Sequence, residues 1–468
     1  MSAHLTDSEV YGHLWASPEV RALFTDGGRT SAWLDILATL AEAQADVGMV
    51  PQAAAEAIRR TVTTWRPDMA ELGVRTRETG HSTMGLIQML QQVLPKEAGG
   101  WVYYGATVQD LTDTWFALVM RTMTTVLRRD LDRARGAAAA LASRYRNTVM
   151  CGRSHGQPGL PITFGFKAAV WAAELDRHLD RLEEGRSRRE LVQIGGGLGT
   201  MEFWGAEAES MSVAFADRLG LAVPALPWLT ARDGVAEFVS LLALVTGTVA
   251  KIGDEVYELQ REEIGELREP LAEGTVGSIT MPHKRNPELS ELVNTLARLV
   301  RADASLALEG LVHGHERDGR AWKTEWLILP EACMYAAASV AAAVRLLEGL
   351  EVDAERMRAN LDRLGGYPMS GPVMRALSDH IGKHTAQMLV HRAALEGRER
   401  GVDLRTALES AVASAPGLAL DAAQFDRLLD PDRALGSIPR FIDAVLARTG
   451  RLSVGGVTGG GADGCGHP

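Results

Sequence analysis

The chain has 468 residues, of which 46% are hydrophobic and 23% are charged, so it can bury a sizeable core and lies in the ordinary globular range. Its 49 lysines and arginines against 60 aspartates and glutamates leave a formal charge of −11, which argues against nucleic-acid binding through bulk positive charge. Three cysteines are too few for a disulfide framework or a zinc site, and neither a secretory signal nor a run of roughly 18 apolar residues is present, so we expect a cytoplasmic protein that binds no membrane.

Helical spacing of apolar residues recurs along most of the chain. It predicts a helix over residues 31–48 that stops at Gly48, with the next helix beginning at Pro51. Further long helices are predicted over residues 111–148, 160–185, 235–260, 287–313 and 326–350.

The segment 235–260 is apolar on nearly all sides, which indicates a helix buried in the middle of something large. Several such helices in succession predict a helical bundle, and their excess apolar surface predicts an oligomer. We expect an N-terminal helical domain (1–105), a central bundle (106–350), a C-terminal helical domain (351–449) and a disordered glycine-rich tail (450–468).

The loop that carries the clearest chemistry reads GTVGSITMPHKRNP over residues 274–287. Gly274 and Gly277 permit backbone conformations that other residues avoid, and Ser278 follows directly. Three basic side chains and an asparagine then precede a helix start, which is an arrangement suited to holding an anion.

This loop resembles the signature of the fumarase/aspartase superfamily, Gly-Ser-Ser-x-Met-Pro-x-Lys-x-Asn-Pro. Residues 105–114 (GATVQDLTDT) and 152–165 (GRSHGQPGLPITFG) resemble two further blocks of the family, in the family's order. The similarity extends from about Phe24 to about Ala447, and it lies nearest to the branch of adenylosuccinate lyase and 3-carboxy-cis,cis-muconate cycloisomerase, which also includes nitrosuccinate lyases.

The resemblance implies an all-α fold with a long central helical bundle flanked by two smaller helical domains. It also implies a homotetramer whose active sites each gather blocks from three subunits. The implied reaction is anti β-elimination next to a carboxylate, usually with release of fumarate, and it needs cationic stabilisation of an aci-carboxylate carbanion.

The resemblance also assigns roles to individual residues. Ser278 matches the catalytic base, His155 the general acid on the opposite side, and Glu291 the carboxylate partner of that histidine. The expected substrate ligands are Lys284, Asn286, Thr107, Gln109, His81, Ser82 and Arg320. Arg317 and Arg320 are ordinary ion-pair residues or substrate ligands, and we place Arg320 among the ligands.

Three positions depart from the family pattern. Ile279 replaces the second serine of the signature, Val108 replaces a serine of the first block, and Tyr103 stands where relatives carry a histidine. These changes predict a more apolar pocket of different shape. The arginine–tyrosine pair that binds the nucleotide phosphate in adenylosuccinate lyases is not evident, which favours a small substrate.

A fumarate-releasing lyase acting on a small succinyl compound such as nitrosuccinate is therefore our first interpretation. The alternatives are a 3-carboxy-cis,cis-muconate cycloisomerase, then an adenylosuccinate lyase, then a non-catalytic helical scaffold. We expect no metal and no cofactor, because lone histidines lack ligand spacing and the glycine run at residues 195–199 lies between predicted helices rather than after a strand.

Overall fold

The computed structural model describes residues 4–81, 83–415 and 418–455. The first quarter of the chain forms α1 (Gly12–Trp15), α2 (Pro18–Phe24), α3 (Asp26–Asp46), α4 (Gln52–Thr64), α5 (Met69–Thr79), α6 (Met84–Val93) and α7 (Lys96–Gly99). The middle forms α8 (Val108–Arg144), β1 (Val149–Ser154), β2 (Gln157–Thr163), α9 (Phe164–Glu184), α10 (Arg186–Arg189), α11 (Ala208–Leu219), α12 (Asp233–Gln260), β3 (Leu267–Arg268), α13 (Glu288–Glu309) and α14 (Gly319–Glu348). The last part forms β4 (Glu351–Val352), α15 (Ala354–Asp362), α16 (Ser370–Ile381), α17 (Lys383–Glu399), α18 (Leu404–Ala413), α19 (Ala422–Leu428) and α20 (Ile438–Gly455).

The predicted long helices are present as α3, α8, α9, α12, α13 and α14, which confirms an all-α fold. Gly48 follows α3 with a φ of 78°, and Pro51 is the N-cap residue of α4 rather than its first helical residue. The helix predicted from residue 160 begins only at Phe164, because residues 157–163 belong to β2.

An antiparallel hairpin of β1 and β2 occupies a stretch that the sequence indicated only as a break between helices. Ser154 pairs with Gln157, so His155 and Gly156 form a two-residue turn. Both turn residues have positive φ angles, 55° and 72°, as a type I′ turn requires. The short strands contain glycine and proline rather than alternating apolar residues, so the usual strand signal is weak.

The chain divides into two compact units. The first comprises Met1–Asp130, His178–Ala250 and Leu292–Ala342, and the second comprises Leu131–Arg177, Lys251–Glu291 and Ala343–Pro468. The divisions fall within α8, α9, α12, α13 and α14. The predicted three-domain division stays a prediction, and the glycine-rich tail beyond Gly455 lies outside the described residues.

In the first unit, α3 packs against α4 and α11 through a buried apolar face. In the second unit, α16, α17 and α18 enclose a core of their own. That core is made of buried aliphatic side chains and one phenylalanine: Met369, Val373, Leu377, Ala386, Leu389, Val390, Ala393, Leu404, Ala407, Leu408, Val412 and Phe425.

Among the residues that the structure describes, two helices, α12 and α14, are long and apolar enough by composition to cross a membrane. In their most apolar stretches, 61% of the residues of α12 and 83% of those of α14 are buried inside the protein. Their composition is therefore that of core helices, as the sequence predicted for residues 235–260.

Candidate active site

The two ends of the signature loop in the second unit are joined through Glu269. Glu269 precedes the loop, and its buried carboxylate accepts N–H groups from Leu289 (2.9 Å) and Ser290 (2.6 Å) in the first turn of α13. Arg285, close to the C-terminal end of the loop, donates to the Glu269 carbonyl oxygen and pairs with Glu351 at 2.6 Å. A carboxylate at a helix N-terminus satisfies orphan N–H groups and complements the helix dipole, so this contact fixes the start of α13.

Within the loop, the two arms approach so closely that residue 277 must be glycine. A Cβ atom there would lie 2.7 Å from the Lys284 carbonyl oxygen, and the Asn286 N–H donates to the Gly277 carbonyl at 3.3 Å. The next residue, Ser278, is half-buried, and its Oγ accepts the N–H of Met281 at 3.2 Å. A hydrogen bond to this oxygen favours a negative charge on it.

The other signature residues of the second unit lie near the same loop. Lys284 is exposed, and Asn286 is half-buried with its amide donating to Glu288 at 3.4 Å. Glu291, the expected partner of His155, is exposed in the first turns of α13. His155 lies at the exposed tip of the β1–β2 hairpin, so this pair belongs to two separate elements.

A buried ion pair anchors the hairpin that carries His155. Arg153 donates two hydrogen bonds to Glu266 at 2.9 and 2.6 Å, and the Glu266 side chain is wholly buried. Asn360 of α15 donates to the same carboxylate at 2.9 Å. Because a forked guanidinium fixes both distance and orientation, this contact sets the position of the hairpin.

In the first unit, the block at residues 105–114 begins α8 and is fixed by Asp110. The buried Asp110 carboxylate accepts hydrogen bonds from the Thr107 N–H, the Gln193 amide and the N–H groups of Gly195 and Gly196, at 2.9–3.1 Å. Burial raises the pKa of this carboxyl to about 7, against the effect of those hydrogen bonds. The glycine run is thereby joined to the start of α8.

A cluster of hydroxyls, one imidazole and one guanidinium lies beside this block. Arg317 donates to Thr107 Oγ1 at 2.7 Å, and the Tyr103 hydroxyl interacts with the hydroxyls of Thr83 and Thr107. Thr83 Oγ1 lies 3.3 Å from Nδ1 of His81. Burial and the nearby Asp110 raise the pKa of Tyr103, which keeps its phenol protonated. We name this set the hydroxyl cluster: His81, Thr83, Tyr103, Thr107 and Arg317.

The Gln109 side chain belongs to a separate, buried network of hydrogen bonds and ion pairs. Its amide donates to Asp113 (3.0 Å) and to the Leu229 carbonyl (2.7 Å), so both N–H donors are engaged within the protein. Asp113 also pairs with Arg232 at 2.7 Å, and Arg232 pairs with Glu325, all three being buried. The role of Gln109 as a direct substrate ligand stays a prediction, and its two N–H donors are already used within the protein.

The two candidate arginines have different surroundings. The Arg320 side chain is 87% exposed and pairs with Asp318 at 2.5 Å. Arg317 is half-buried, stacks 5.9 Å from the Trp322 ring and reaches Thr107. Arg317 is therefore the arginine that the structure joins to other predicted site residues. Ser82 lies outside the described residues.

The positions that depart from the family pattern differ in their exposure. Ile279 is 96% exposed at the loop surface, whereas Val108 is buried in the first turn of α8. Tyr103 has a φ of 61°, an uncommon value for a bulky residue.

Three acidic residues that hold the site were not predicted from the sequence: Glu269, Glu266 and Asp110 in its linking role. Acidic residues that flank a loop with several glycines are nevertheless visible in the sequence.

Comparison with known proteins adds to this geometry. A family model described as "Lyase" matches residues 14–302. An N-acetyl-S-(2-succino)cysteine lyase of Dickeya dadantii is 37% identical over 447 residues, which cover 95% of this chain and 98% of the relative. A 3-carboxy-cis,cis-muconate cycloisomerase of Pseudomonas aeruginosa is 36% identical, over 94% and 96% of the two chains. A nitrosuccinate lyase of Streptomyces davaonensis is 35% identical, over 95% of each.

Solved structures agree with these similarities. The fumarate lyase of Mesorhizobium sp. BNC1 superposes with a TM-score of 0.86 at 34% identity, covering 92% of this chain and 98% of that one. The 3-carboxy-cis,cis-muconate lactonizing enzyme of Pseudomonas putida gives a TM-score of 0.88 at 31% identity, covering 95% and 100%. More than nine tenths of the chain is thus similar to lyases and to cycloisomerases alike.

Proposed function

Because the chain belongs to the fumarase/aspartase superfamily of lyases, we propose that it catalyses anti β-elimination from a small succinyl compound and releases fumarate. The observation that carries this proposal is the hydrogen bond from the Met281 N–H to Ser278 Oγ, in a loop that is fixed at both ends. It makes a serine oxygen a candidate base, because a preorganised donor favours the negative charge that proton removal requires.

In the proposed reaction, Ser278 removes a proton from the carbon next to one carboxylate. The electron pair of that C–H bond becomes the double bond of fumarate, and the leaving group departs from the neighbouring carbon with the electrons of its own bond. His155 supplies a proton to leaving groups that need one. Lys284 and Asn286 stabilise the negative charge that develops on the substrate carboxylate.

The hydroxyl cluster of the first unit supplies the second group of substrate ligands in this proposal. Arg317 and Thr107 are already joined by a 2.7 Å hydrogen bond, so a carboxylate that binds there meets a preorganised cation and hydroxyl. Tyr103 adds a neutral phenol donor where relatives carry an imidazole, and His81 is connected to it through Thr83. We further propose a homotetramer of cytoplasmic location, in which several copies contribute to each site.

Relatives with similar sequence identity to this chain are named for substrates with different leaving groups. The sulfur compound in the name of the Dickeya dadantii lyase and the nitro compound in that of the Streptomyces davaonensis lyase are both succinyl derivatives. A second candidate, the cycloisomerase reaction, is supported by the 36% identity to the Pseudomonas aeruginosa enzyme and the 0.88 TM-score of the Pseudomonas putida structure.

The experiment is an ultraviolet assay for fumarate with purified protein and a panel of substrates. The panel contains nitrosuccinate, N-acetyl-S-(2-succino)cysteine, adenylosuccinate, argininosuccinate and aspartate, and carboxymuconate is followed in parallel by loss of its absorbance. We expect fumarate from one succinyl compound. If carboxymuconate alone is consumed, the protein is a cycloisomerase and not a fumarate-releasing lyase.

A further inference from the structure

The second unit contains a cavity of about 930 Å³ beside the signature loop. Its walls come from the C-terminal end of α12, from β3, from the start of α15 and from the last residues of the loop. Pockets for small molecules measure about 300–1,000 Å³, so the cavity can hold more than a four-carbon dicarboxylate. Lys284 lines it, whereas Ser278 does not.

The cavity is positively charged in an acidic protein. Of its twelve lining residues, five are arginine or lysine and two are aspartate or glutamate, which leaves a net charge of +3 with His283 neutral. The whole chain carries −11. A concave site lined by one sign of charge concentrates ions of the opposite sign, so this cavity selects anions.

Several of these cations are already engaged within the protein. Arg356 donates to the carbonyl oxygens of Ile264 (2.9 Å) and Glu262 (3.3 Å). Arg285 pairs with Glu351, and Arg261 pairs with Glu258 at 3.2 Å. Arg268 lies opposite the same Glu351 in the β3–β4 pair, but the Glu351 carboxylate already forms an ion pair with Arg285.

Two cations of the cavity are therefore available to a ligand. In the part of the chain that the structure describes, neither Arg268 nor Lys284 forms an ion pair, and both side chains belong to exposed residues. An exposed guanidinium and an exposed ammonium that line one cavity can bind an anion without first breaking an internal ion pair.

We propose that this cavity binds a third anionic group, carried on the leaving-group side of the substrate. The inference rests on the proposed function, in which Lys284 holds a carboxylate of the succinyl part, and it narrows the substrate class. The enzyme then prefers succinyl compounds whose leaving group bears its own carboxylate or a comparable anion, and Arg268 is the specificity-determining residue.

The test uses two series of carbon-linked compounds, which bind without elimination because their substituent cannot leave. One series is 2-(ω-carboxyalkyl)succinates with one to four methylenes, and the other is 2-alkylsuccinates of the same lengths. Binding to the full-length protein is measured by titration calorimetry. We expect at least one carboxyalkylsuccinate to bind about tenfold more tightly than its alkyl counterpart, since a hydrogen-bonded charge is added.

Arg268→Ala should remove that advantage and leave alkylsuccinate binding unchanged within twofold. Arg400→Ala is the matched control, because Arg400 is an exposed arginine of the same unit outside the cavity. Equal binding of the two series to the wild type, or retention of the advantage in Arg268→Ala, would overturn this inference while the proposed function stands. Failure of both series to bind would overturn both proposals.

Discussion

At the scale of single residues, the site depends on contacts that a sequence motif does not describe. The motif identifies Ser278, but it does not show that the Met281 N–H points at its oxygen. It also cannot show that Gln109 turns inward to Asp113, because the direction of a side chain on α8 depends on distant residues such as Leu229. The motif proposes the residue types, but which of them bind the substrate and which position other residues is a division that it does not predict.

Arg317 and Arg320 offer a matched pair that tests this division. Arg317→Ala should lower kcat/KM by about 10- to 100-fold, because it removes a cation that is preorganised against Thr107. Arg320→Ala should change kcat/KM less than threefold, since that side chain is exposed and bound to Asp318. Steady-state kinetics of both variants on the same substrate provide the measurement. Equal losses in the two variants would contradict the assignment.

A buried carboxyl, Asp303 of α13, predicts how the stability depends on pH. Burial, and then the nearby Glu331 of α14, raise its pKa to about 7, and its Oδ2 has no hydrogen-bond partner among the described residues. The folded state therefore holds a proton that the unfolded state releases near pH 4. The contribution of this group to stability falls as the pH rises from about 4 to about 7.

Asp303→Asn removes that penalty and keeps the shape of the side chain. The gain in melting temperature over the wild type should be larger at pH 8 than at pH 5, as measured by thermal unfolding at both values. The Glu331→Gln variant is a useful comparison, because burial raises the pKa of Glu331 as well, and His4 at 3.5 Å offsets only part of that rise. A gain for Asp303→Asn that does not change with pH would show that ionisation of Asp303 is not the cause.

At the scale of elements, the loop and the hairpin are positioned by carboxylates just ahead of the signature. Glu266 holds the hairpin through Arg153, and Glu269 holds the start of α13. The long helices were predictable because their apolar spacing continues for five turns or more. The hairpin was not, since His155-Gly156 is a short turn signal and its strands lack period-two alternation.

Glu269→Ala should therefore destabilise the start of α13 and the loop before it, in addition to removing one contact. It leaves the N–H groups of Leu289 and Ser290 without their acceptor, which should lower the free energy of unfolding by about 1–2 kcal/mol. It should also reduce kcat, because the loop that carries Ser278 loses its anchor. Glu355→Ala, which removes an exposed carboxylate from the first turn of α15 in the same unit, is the control for denaturant unfolding and for kinetics. Unchanged stability in Glu269→Ala would contradict the anchoring role.

At the scale of the whole molecule, the proposed tetramer explains why exposed leucines remain on the long helices. Leu244 of α12 is 56% exposed, Leu308 of α13 53% and Leu327 of α14 61%. Apolar surface of this kind on core helices is typical of an interface. The sequence predicted excess apolar helix surface, but which copy contributes which block cannot be read from one chain.

Complementation between inactive copies tests the shared site. Co-expressed Ser278→Ala and His155→Ala chains should regain up to about a quarter of wild-type activity, because random mixing gives some sites with both residues intact. The purified mixed oligomer is compared with each variant alone, and light scattering gives its mass relative to the 50.5 kDa chain. Activity that never exceeds that of the single variants would show that both residues come from one copy.

The role of Ser278 as the base is tested most directly by comparing two hydroxyls of the same loop. Single-turnover fumarate release is measured for the wild type, Ser278→Ala and Thr280→Ala with the most active succinyl compound of the panel. We expect Ser278→Ala to abolish release while its affinity for a 2-alkylsuccinate stays within about threefold, and Thr280→Ala to retain most of the rate. Substantial fumarate release by Ser278→Ala would contradict the assignment of this serine as the base.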